Sequence, residues 1–349
     1  MKTNAALLVT FLLLAQAGAA APLPRKTADE SYPGVTVQYE EMALPAGQRL
    51  RLIVTHPSST RSRLPVIFVA GWLSCDSIAA PPNSLGAPQQ LFRALAQLPG
   101  FATVRMDKPG VGDSEGDCGA TDFDSELAAY RQAFRHLADY SFADPQRVFV
   151  LGLSNGAGFA PLVAQGAPVR GYVVIGGWIK TWFEHMLEIE RRRLALSGTP
   201  ASALNARMQD VEQLYGAYLL EQQSPRSIFA RRPALQALWE GDPEHQYERP
   251  VSYYQQLQRL DLMQAWAAVK VPLLALHGEF DWIMSRADLE LMAELVNHNA
   301  PGAARFMELP RTGHTLEHYA SLEDAYAGKA LAFDAELARQ IGAWFTQQR

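Results

Sequence analysis

The sequence predicts an α/β protein: an eight-stranded, mostly parallel sheet flanked by helices, with a helical cap inserted after the sixth strand. Three observations lead there. Six short, nearly continuous apolar runs recur along the chain, as strands buried on both faces of a sheet require. Helical patterns separate most of these runs. Ahead of them, two alternating segments flank a turn and read as a hairpin.

Lys2 precedes an apolar stretch from Ala5 to Ala15, and the small residues Ala15-Gln16-Ala17-Gly18-Ala19-Ala20 fit an A-x-A cleavage site. Residues 1–20 therefore read as a signal peptide, which implies export to the periplasm or the medium. The apolar stretch is about half of the roughly 20 residues that span a bilayer, so a retained anchor is the weaker reading. No cysteine sits at the cleavage region, which argues against a lipoprotein, and no later segment is long and apolar enough to cross a membrane. Residues 21–34, which include prolines, read as a linker.

The hairpin comprises Val35 to Tyr39 and Arg49 to Val54 around Pro45-Ala46-Gly47. The six apolar runs are Val66–Val69, Ala102–Met106, Val148–Leu151, Tyr172–Ile175, Val271–Leu276 and Ala304–Leu309. Helices are expected over 88–98, 122–140, 157–165, 286–297 and 333–347. The long gap after the sixth strand carries amphipathic patterns at 179–195, 203–221, 233–240 and 252–266. It is read as a cap over residues 178–266, leaving 35–177 and 267–349 as the core.

At 349 residues, 48% hydrophobic and 19% charged, the chain can bury one large core with an inserted subdomain. A net charge of -5 provides no footprint for nucleic acid, and Arg191-Arg192-Arg193 and Arg231-Arg232 lie among helical apolar residues as solvated faces. The only cysteines, Cys75 and Cys118, suit a disulfide in an exported protein, with two buried thiols as the alternative. Closing that loop would contribute about 4 kcal/mol in the chain-entropy view.

Two segments match G-x-S-x-G, Gly112-Asp113-Ser114-Glu115-Gly116 and Gly152-Leu153-Ser154-Asn155-Gly156. A nucleophile elbow places its serine on a sharp turn between strand and helix, with glycines letting the backbones approach. Ser154 has that setting: an apolar run leads in and the small-residue stretch Gly156 to Ala164 leads out. Ser114 follows Pro109 and Gly110 and is flanked by Asp113 and Glu115, whose charges oppose an alkoxide. Ser154 is therefore the candidate nucleophile.

A serine hydroxyl needs a base within reach. Among eight histidines, His314 alone follows the last apolar run on a loop that can carry its ring over the strand ends. His56, His136, His185, His245 and His298 fall in loops or helical patterns, and His277 closes a strand. His318 lies four residues beyond His314, but no third ligand accompanies the pair, so no metal and no cofactor is expected. The orienting acid should sit on a loop between nucleophile and base, and Leu276-His277-Gly278-Glu279-Phe280-Asp281-Trp282 provides it. Asp281 is favoured because the chain can turn after Gly278 before presenting it; Glu279 is the fallback.

Gly152-Leu153-Ser154-Asn155-Gly156, His277-Gly278-Glu279-Phe280-Asp281 and Gly313-His314 resemble the α/β-hydrolase superfamily, over essentially the whole mature chain. Asp107-Lys108-Pro109-Gly110-Val111-Gly112-Asp113-Ser114 is similar to the D-x-x-G-x-G-x-S loop after the fourth strand in that superfamily, which makes the first G-x-S-x-G structural. Within it the chain resembles exported bacterial members of the serine aminopeptidase and acyl-esterase branch. The resemblance implies an oxyanion hole from the N–H of Asn155 and a second N–H on Ala70-Gly71-Trp72-Leu73, for which Trp72 is chosen. Many relatives carry His-Gly where this chain has Ala70-Gly71.

Trp72, Trp178 and Trp282 each follow a predicted strand end, the edge where open α/β sheets bind ligands. Trp178 and Trp282 are accordingly expected in a substrate pocket for an apolar or aromatic group, the alternative being packing between cap and core. The leading function is hydrolysis of a carboxylic ester through attack of Ser154 and an acyl-enzyme; the alternatives are cleavage of a short peptide and binding without catalysis. An aminopeptidase needs cap carboxylates for a substrate ammonium, and Glu184, Glu188 and Glu190 are the candidates.

Overall fold

The computed structural model describes residues 21–59 and 62–349; the expected signal peptide at 1–20 lies outside the described residues. Eight strands form one sheet: β1 (Val35–Ala43), β2 (Arg49–Pro57), β3 (Leu64–Ala70), β4 (Ala102–Met106), β5 (Ala143–Leu153), β6 (Gly171–Ile175), β7 (Leu273–Gly278) and β8 (Ala304–Leu309). Their order is β1-β2-β4-β3-β5-β6-β7-β8. Only β2 runs against its neighbours; the other pairings are parallel.

The apolar runs form strands because both sheet faces are covered. In β3, Val66 and Phe68 join one buried cluster while Ile67 and Val69 join the other, and Val148, Val150 and Phe149, Leu151 divide in the same way in β5. The first cluster holds α2 (Phe123–His136), α3 (Asn155–Val163) and α9 (Arg286–Asn299). The second holds α1 (Ala87–Ala96) and α10 (Ala335–Gln347), whose Leu91, Phe92, Ile341 and Phe345 are buried together.

Between β6 and β7 lie α4 (Trp182–Leu196), α5 (Ala201–Tyr215), α6 (Pro225–Arg231), α7 (Val251–Leu257) and α8 (Leu262–Ala267). Thr181 and Glu184 close a capping box at the start of α4, so Glu184 works as a helix cap. The single helix expected over 252–266 is two helices, because the Asp261 side chain accepts the N–H of Gln264 and starts a new one. α8 then returns to the core, where the Trp266 indole donates to the Gly158 carbonyl at 3.0 Å. The pattern at 203–221 ends in a π-turn at Gly216–Leu220, and that at 233–240 is a 3-10 helix. α6 was not expected; Ser224 before Pro225 is its start signal.

Residues 21–34 do not behave as a loose linker. Leu23 and Tyr32 are buried, and Glu30, also buried, pairs with Arg105 of β4 at 2.5 Å. Cys75 and Cys118 form a disulfide with their Cα atoms 6.0 Å apart, tying the loop after β3 to the loop after β4. Among the described residues no helix is long and apolar enough to cross a membrane.

Candidate active site

The parallel strands deliver their C-terminal ends to one edge. The chain fills β3 and β4 on one side and then crosses to β5 on the other, so the sheet order reverses between β3 and β5. At such a switch point the loops leave a crevice. Trp72 follows β3, Ser154 follows β5, Asp281 follows β7 and His314 follows β8.

β5 stops at Leu153, and Ser154 adopts φ 54° and ψ -121° before α3 begins at Asn155. A positive φ at a residue with a Cβ stores strain, and the Ser154 N–H donating to the Ile175 carbonyl at 2.9 Å helps hold it. Two glycines permit the turn: a Cβ on Gly156 would lie 2.3 Å from the carbonyl oxygens of Ala70 and Gly71, and one on Gly152 would lie 2.6 Å from the Ala157 Cα. The strained serine thus stands at the N-terminus of α3, where main-chain N–H groups lack helical partners.

Ser154 Oγ lies 2.9 Å from His314 Nε2, and His314 Nδ1 lies 2.9 Å from Asp281 Oδ2. The other Asp281 oxygen accepts the N–H groups of Ile283 and Met284, both at 2.9 Å, which fixes the carboxylate in its turn. Burial alone would raise the Asp281 pKa, but the His314 ring and the Met284 N–H outweigh it and hold the carboxyl below its ordinary value. Burial likewise pulls the His314 imidazole down, and Asp281 outweighs that and holds it above its ordinary value. With Nδ1–H donated to the carboxylate, Nε2 is left to accept the serine proton. A hydroxyl so placed can attack an electrophilic carbon as its proton passes to the ring. Glu279 points elsewhere: it is exposed, and its carboxylate accepts the Arg311 N–H at 2.7 Å.

A cavity of about 700 Å³ opens beside Ser154. Trp72 and Asn155, expected from the sequence as oxyanion donors, and Trp282, expected in the pocket, are among the residues that line it. Trp178 is not. It is fully buried, and its indole N–H donates to Asn155 Oδ1 at 2.9 Å, because a buried indole needs an acceptor and α3 presents one. Asn155 is gripped from the other side as well, its Nδ2 donating to the Tyr253 hydroxyl at 3.0 Å. Trp178 therefore braces the residue after Ser154 rather than meeting a ligand.

The cavity wall holds residues that sequence reasoning missed. Trp182, His185, Met186 and Ile189 come from one face of α4, and Thr27 comes from the N-terminal segment. Their signal was the amphipathic pattern at 179–195, which marks a buried face but not what it faces. Burial lowers the His185 pKa to about 3, so its ring is neutral in the wall. Of Glu184, Glu188 and Glu190 only Glu190 lines the cavity, where Glu240 of the same insertion joins it; Glu190 pairs with Arg193 at 2.5 Å, and Glu188 pairs with Lys180 and Arg192. His318 faces Asp334 at 3.5 Å, and among the described residues no group of three or more His, Cys, Asp or Glu side chains is placed to hold a metal.

Over residues 83–318 the sequence matches the family described as serine aminopeptidase, S33 (Hydrolase_4). No curated protein sequence matches it. Among solved structures it is similar to a hypothetical protein from Pseudomonas aeruginosa, at 16% identity and a TM-score of 0.56, covering 95% of this chain and 100% of that one. It is also similar to an esterase from Pyrococcus furiosus, at 12% identity and a TM-score of 0.54, covering 93% and 96%. Est1E from Butyrivibrio proteoclasticus, solved with ferulic acid bound, compares at 12% identity and 0.56, covering 89% and 98%. Likeness at such identities speaks for the fold alone, whereas the family match spans more than half of the sequence. The chain belongs to the S33 serine aminopeptidase family of the α/β-hydrolase superfamily, and is a hydrolase.

Proposed function

We propose that the protein is an exported serine hydrolase that cleaves carboxylic esters of apolar or aromatic groups through an acyl-enzyme. One observation carries this reading: the unbroken hydrogen-bonded chain from Ser154 through His314 to Asp281, at 2.9 Å and 2.9 Å, on a strained elbow. Ser154 Oγ attacks the acyl carbon while its proton moves to His314 Nε2. The oxyanion is met by the N–H groups of Trp72 and Asn155. As the tetrahedral species collapses, His314 protonates the departing alcohol. Water, deprotonated by His314, then attacks the acyl-enzyme and releases the acid and Ser154. Asp281 holds the ring in the right tautomer and stabilises its cation.

The wall beside Ser154 favours an ester over a charged amine substrate. Trp72, Trp182, Met186, Trp282 and Ile283 give it an apolar lining around Ser154, and of its carboxylates that of Glu190 already faces Arg193. The helices of the insertion act as the cap. The disulfide fits export, with residues 1–20 as the signal peptide.

The test compares wild type with Ser154→Ala on a chain-length series of aryl esters and on aminoacyl anilides, with fluorophosphonate labelling alongside. Expected are labelling of wild type alone and an ester preference that rises with apolar chain length and flattens in Trp182→Ala. Turnover of anilides over esters points to a peptidase, and absence of labelling to a binding protein.

A further inference from the structure

Lys108 follows β4 and is buried, a poor place for an ammonium unless its N–H groups are satisfied. Three consecutive carbonyls satisfy it: Trp72 at 2.9 Å, Leu73 at 3.2 Å, and Ser74. These residues line the cavity beside Ser154, and Lys108 lies beneath them, outside its lining. A peptide unit is planar and trans, so each N–H points opposite to the carbonyl of its own unit. Holding the three carbonyls therefore turns the N–H groups of Leu73, Ser74 and Cys75 away from Lys108.

Trp72 is held from its other side too. The Gly71 N–H donates to the Tyr130 hydroxyl at 3.1 Å, and the Gly71 carbonyl packs against Gly156. With the peptide planes before and after Trp72 both anchored, its N–H has one direction. Mere tethering of the loop is served by other contacts: Cys75 by the disulfide, and Ser77 Oγ and the Ile78 N–H by Asp107 at 2.8 and 2.9 Å. The lysine adds what those lack: it holds the Trp72 carbonyl itself, fixing the peptide plane that follows the Trp72 N–H, and its positive charge polarises the N–H groups of Leu73, Ser74 and Cys75 beside that donor.

We propose that Lys108 is a positioning residue for the hydrolytic reaction: its ammonium orients and polarises the loop after β3, so that this loop stabilises the oxyanion. This rests on the reading of Ser154 as nucleophile. Lys108 touches no substrate and acts through the Trp72–Ser74 main chain.

The protonation state of Lys108 matters because a neutral amine has one N–H fewer and no charge. Burial lowers its pKa to about 8; the Glu126 carboxylate on α2 opposes that, Arg249 on the insertion adds to it, and Asp76 and Asp107 oppose it from the two loops. Oxyanion stabilisation is full below that pH and falls as pH rises through it.

The experiment uses purified full-length protein as wild type, Lys108→Met and Lys108→Arg. It measures kcat and KM on p-nitrophenyl butyrate from pH 6 to 10, and affinity for an alkyl trifluoromethyl ketone and its methyl ketone counterpart. The Ser154 oxygen adds to the fluorinated ketone, its proton passes to His314, and the carbonyl electron pair becomes an oxyanion; the methyl ketone binds without that step. In Lys108→Met, kcat falls about 10²-fold with KM within about threefold. Affinity for the fluorinated ketone falls in proportion, and affinity for the methyl ketone holds. Lys108→Arg recovers part of the loss and moves the alkaline fall in kcat above pH 10.

Unchanged kcat in Lys108→Met overturns the proposal, as does a loss carried by KM or an equal loss of affinity for both ketones. If Lys108→Met does not fold, the wild-type pH profile decides: a fall in fluorinated-ketone affinity through about pH 8 supports the proposal and a flat profile overturns it. A wild type that neither hydrolyses the ester nor takes the fluorophosphonate overturns the reading of Ser154 instead.

Discussion

Ser114 and Ser154 stand in the same five-residue pattern. Ser154 follows a strand, opens a helix at φ 54°, and sets its hydroxyl 2.9 Å from an imidazole. Ser114 sits in a loop, buried, where its hydroxyl donates to the Asp107 carbonyl at 2.8 Å and accepts the Arg51 N–H at 2.9 Å. The neighbours diverge in the same way. Asn155 is gripped by Trp178 and Tyr253 and lines the cavity. Asp113 turns inward, accepting the N–H groups of Lys26 and Thr27 at 2.6 and 3.2 Å, while Glu115 binds Arg49 at 2.6 Å. A serine is reactive when its one strong partner is a base; with both hydrogen-bonding roles taken by main chain, it is a structural knot.

The comparison breaks most sharply on activity. Ser154→Ala should lower kcat on an aryl ester by about 10⁶-fold, as when a nucleophile is removed from a comparable triad, and Ser114→Ala should leave kcat/KM within about threefold when both are assayed alike. Next comes Asp281→Asn, expected to lower kcat about 10⁴-fold by leaving His314 in the wrong tautomer. Glu279→Gln, outside the hydrogen-bonded chain, should have no such effect. The pH profile sharpens the point. His314 acts as base only when neutral, so kcat/KM rises with pH through the His314 pKa, which Asp281 holds above its ordinary value. Removing that charge should move the acid limb to lower pH; a limb that stays in place in residual Asp281→Asn activity would assign it to another group.

The contrast also marks what is legible in a sequence. Strands are legible because burial on both faces demands continuous apolar runs, and Ser154, Asp281 and His314 are legible because each lies on the loop just past such a run. Trp178 also follows a strand, yet it turns inward to Asn155, a choice made by α3 and not by its own neighbours. Lys108 reads as an unremarkable loop residue until Trp72, Leu73 and Ser74, more than 30 positions earlier in the chain, supply its acceptors. Residues 21–34 look like a tether because their composition is polar and their partners, Asp113 and Arg105, lie far along the chain. Periodicity reports which side of an element is buried; it is silent on which distant polar group waits there.

Stability is where the first motif should matter more than the second. Asp113 is buried with Arg51 Nε 3.5 Å and Arg25 Nε 2.8 Å from its carboxylate. Asp113→Ala leaves the buried Arg51 without that partner and frees the N-terminal segment, so unfolding free energy should drop by about 3–5 kcal/mol in urea titration. Thr27 also lines the cavity, so this variant should raise KM for esters while kcat stays near wild type; an unchanged KM would separate the segment from the site.

The smallest expected effects are those of the two alanine variants on stability, beginning with Ser114→Ala. The substitution removes two buried hydrogen bonds and leaves the Arg51 N–H and the Asp107 carbonyl without the hydroxyl, at about 1–3 kcal/mol for unsatisfied buried groups. Ser154→Ala deletes a hydroxyl too, but the partner it frees is an imidazole at a cavity, and alanine retains the same strained φ. Its stability should therefore stay within about 1 kcal/mol of wild type. The two alanine variants thus form a crossed pair, one losing catalysis and keeping stability, the other the reverse. Equal losses of stability in both would mean that the elbow hydroxyl also serves as a structural bond, and the distinction drawn from their hydrogen-bond partners would fail.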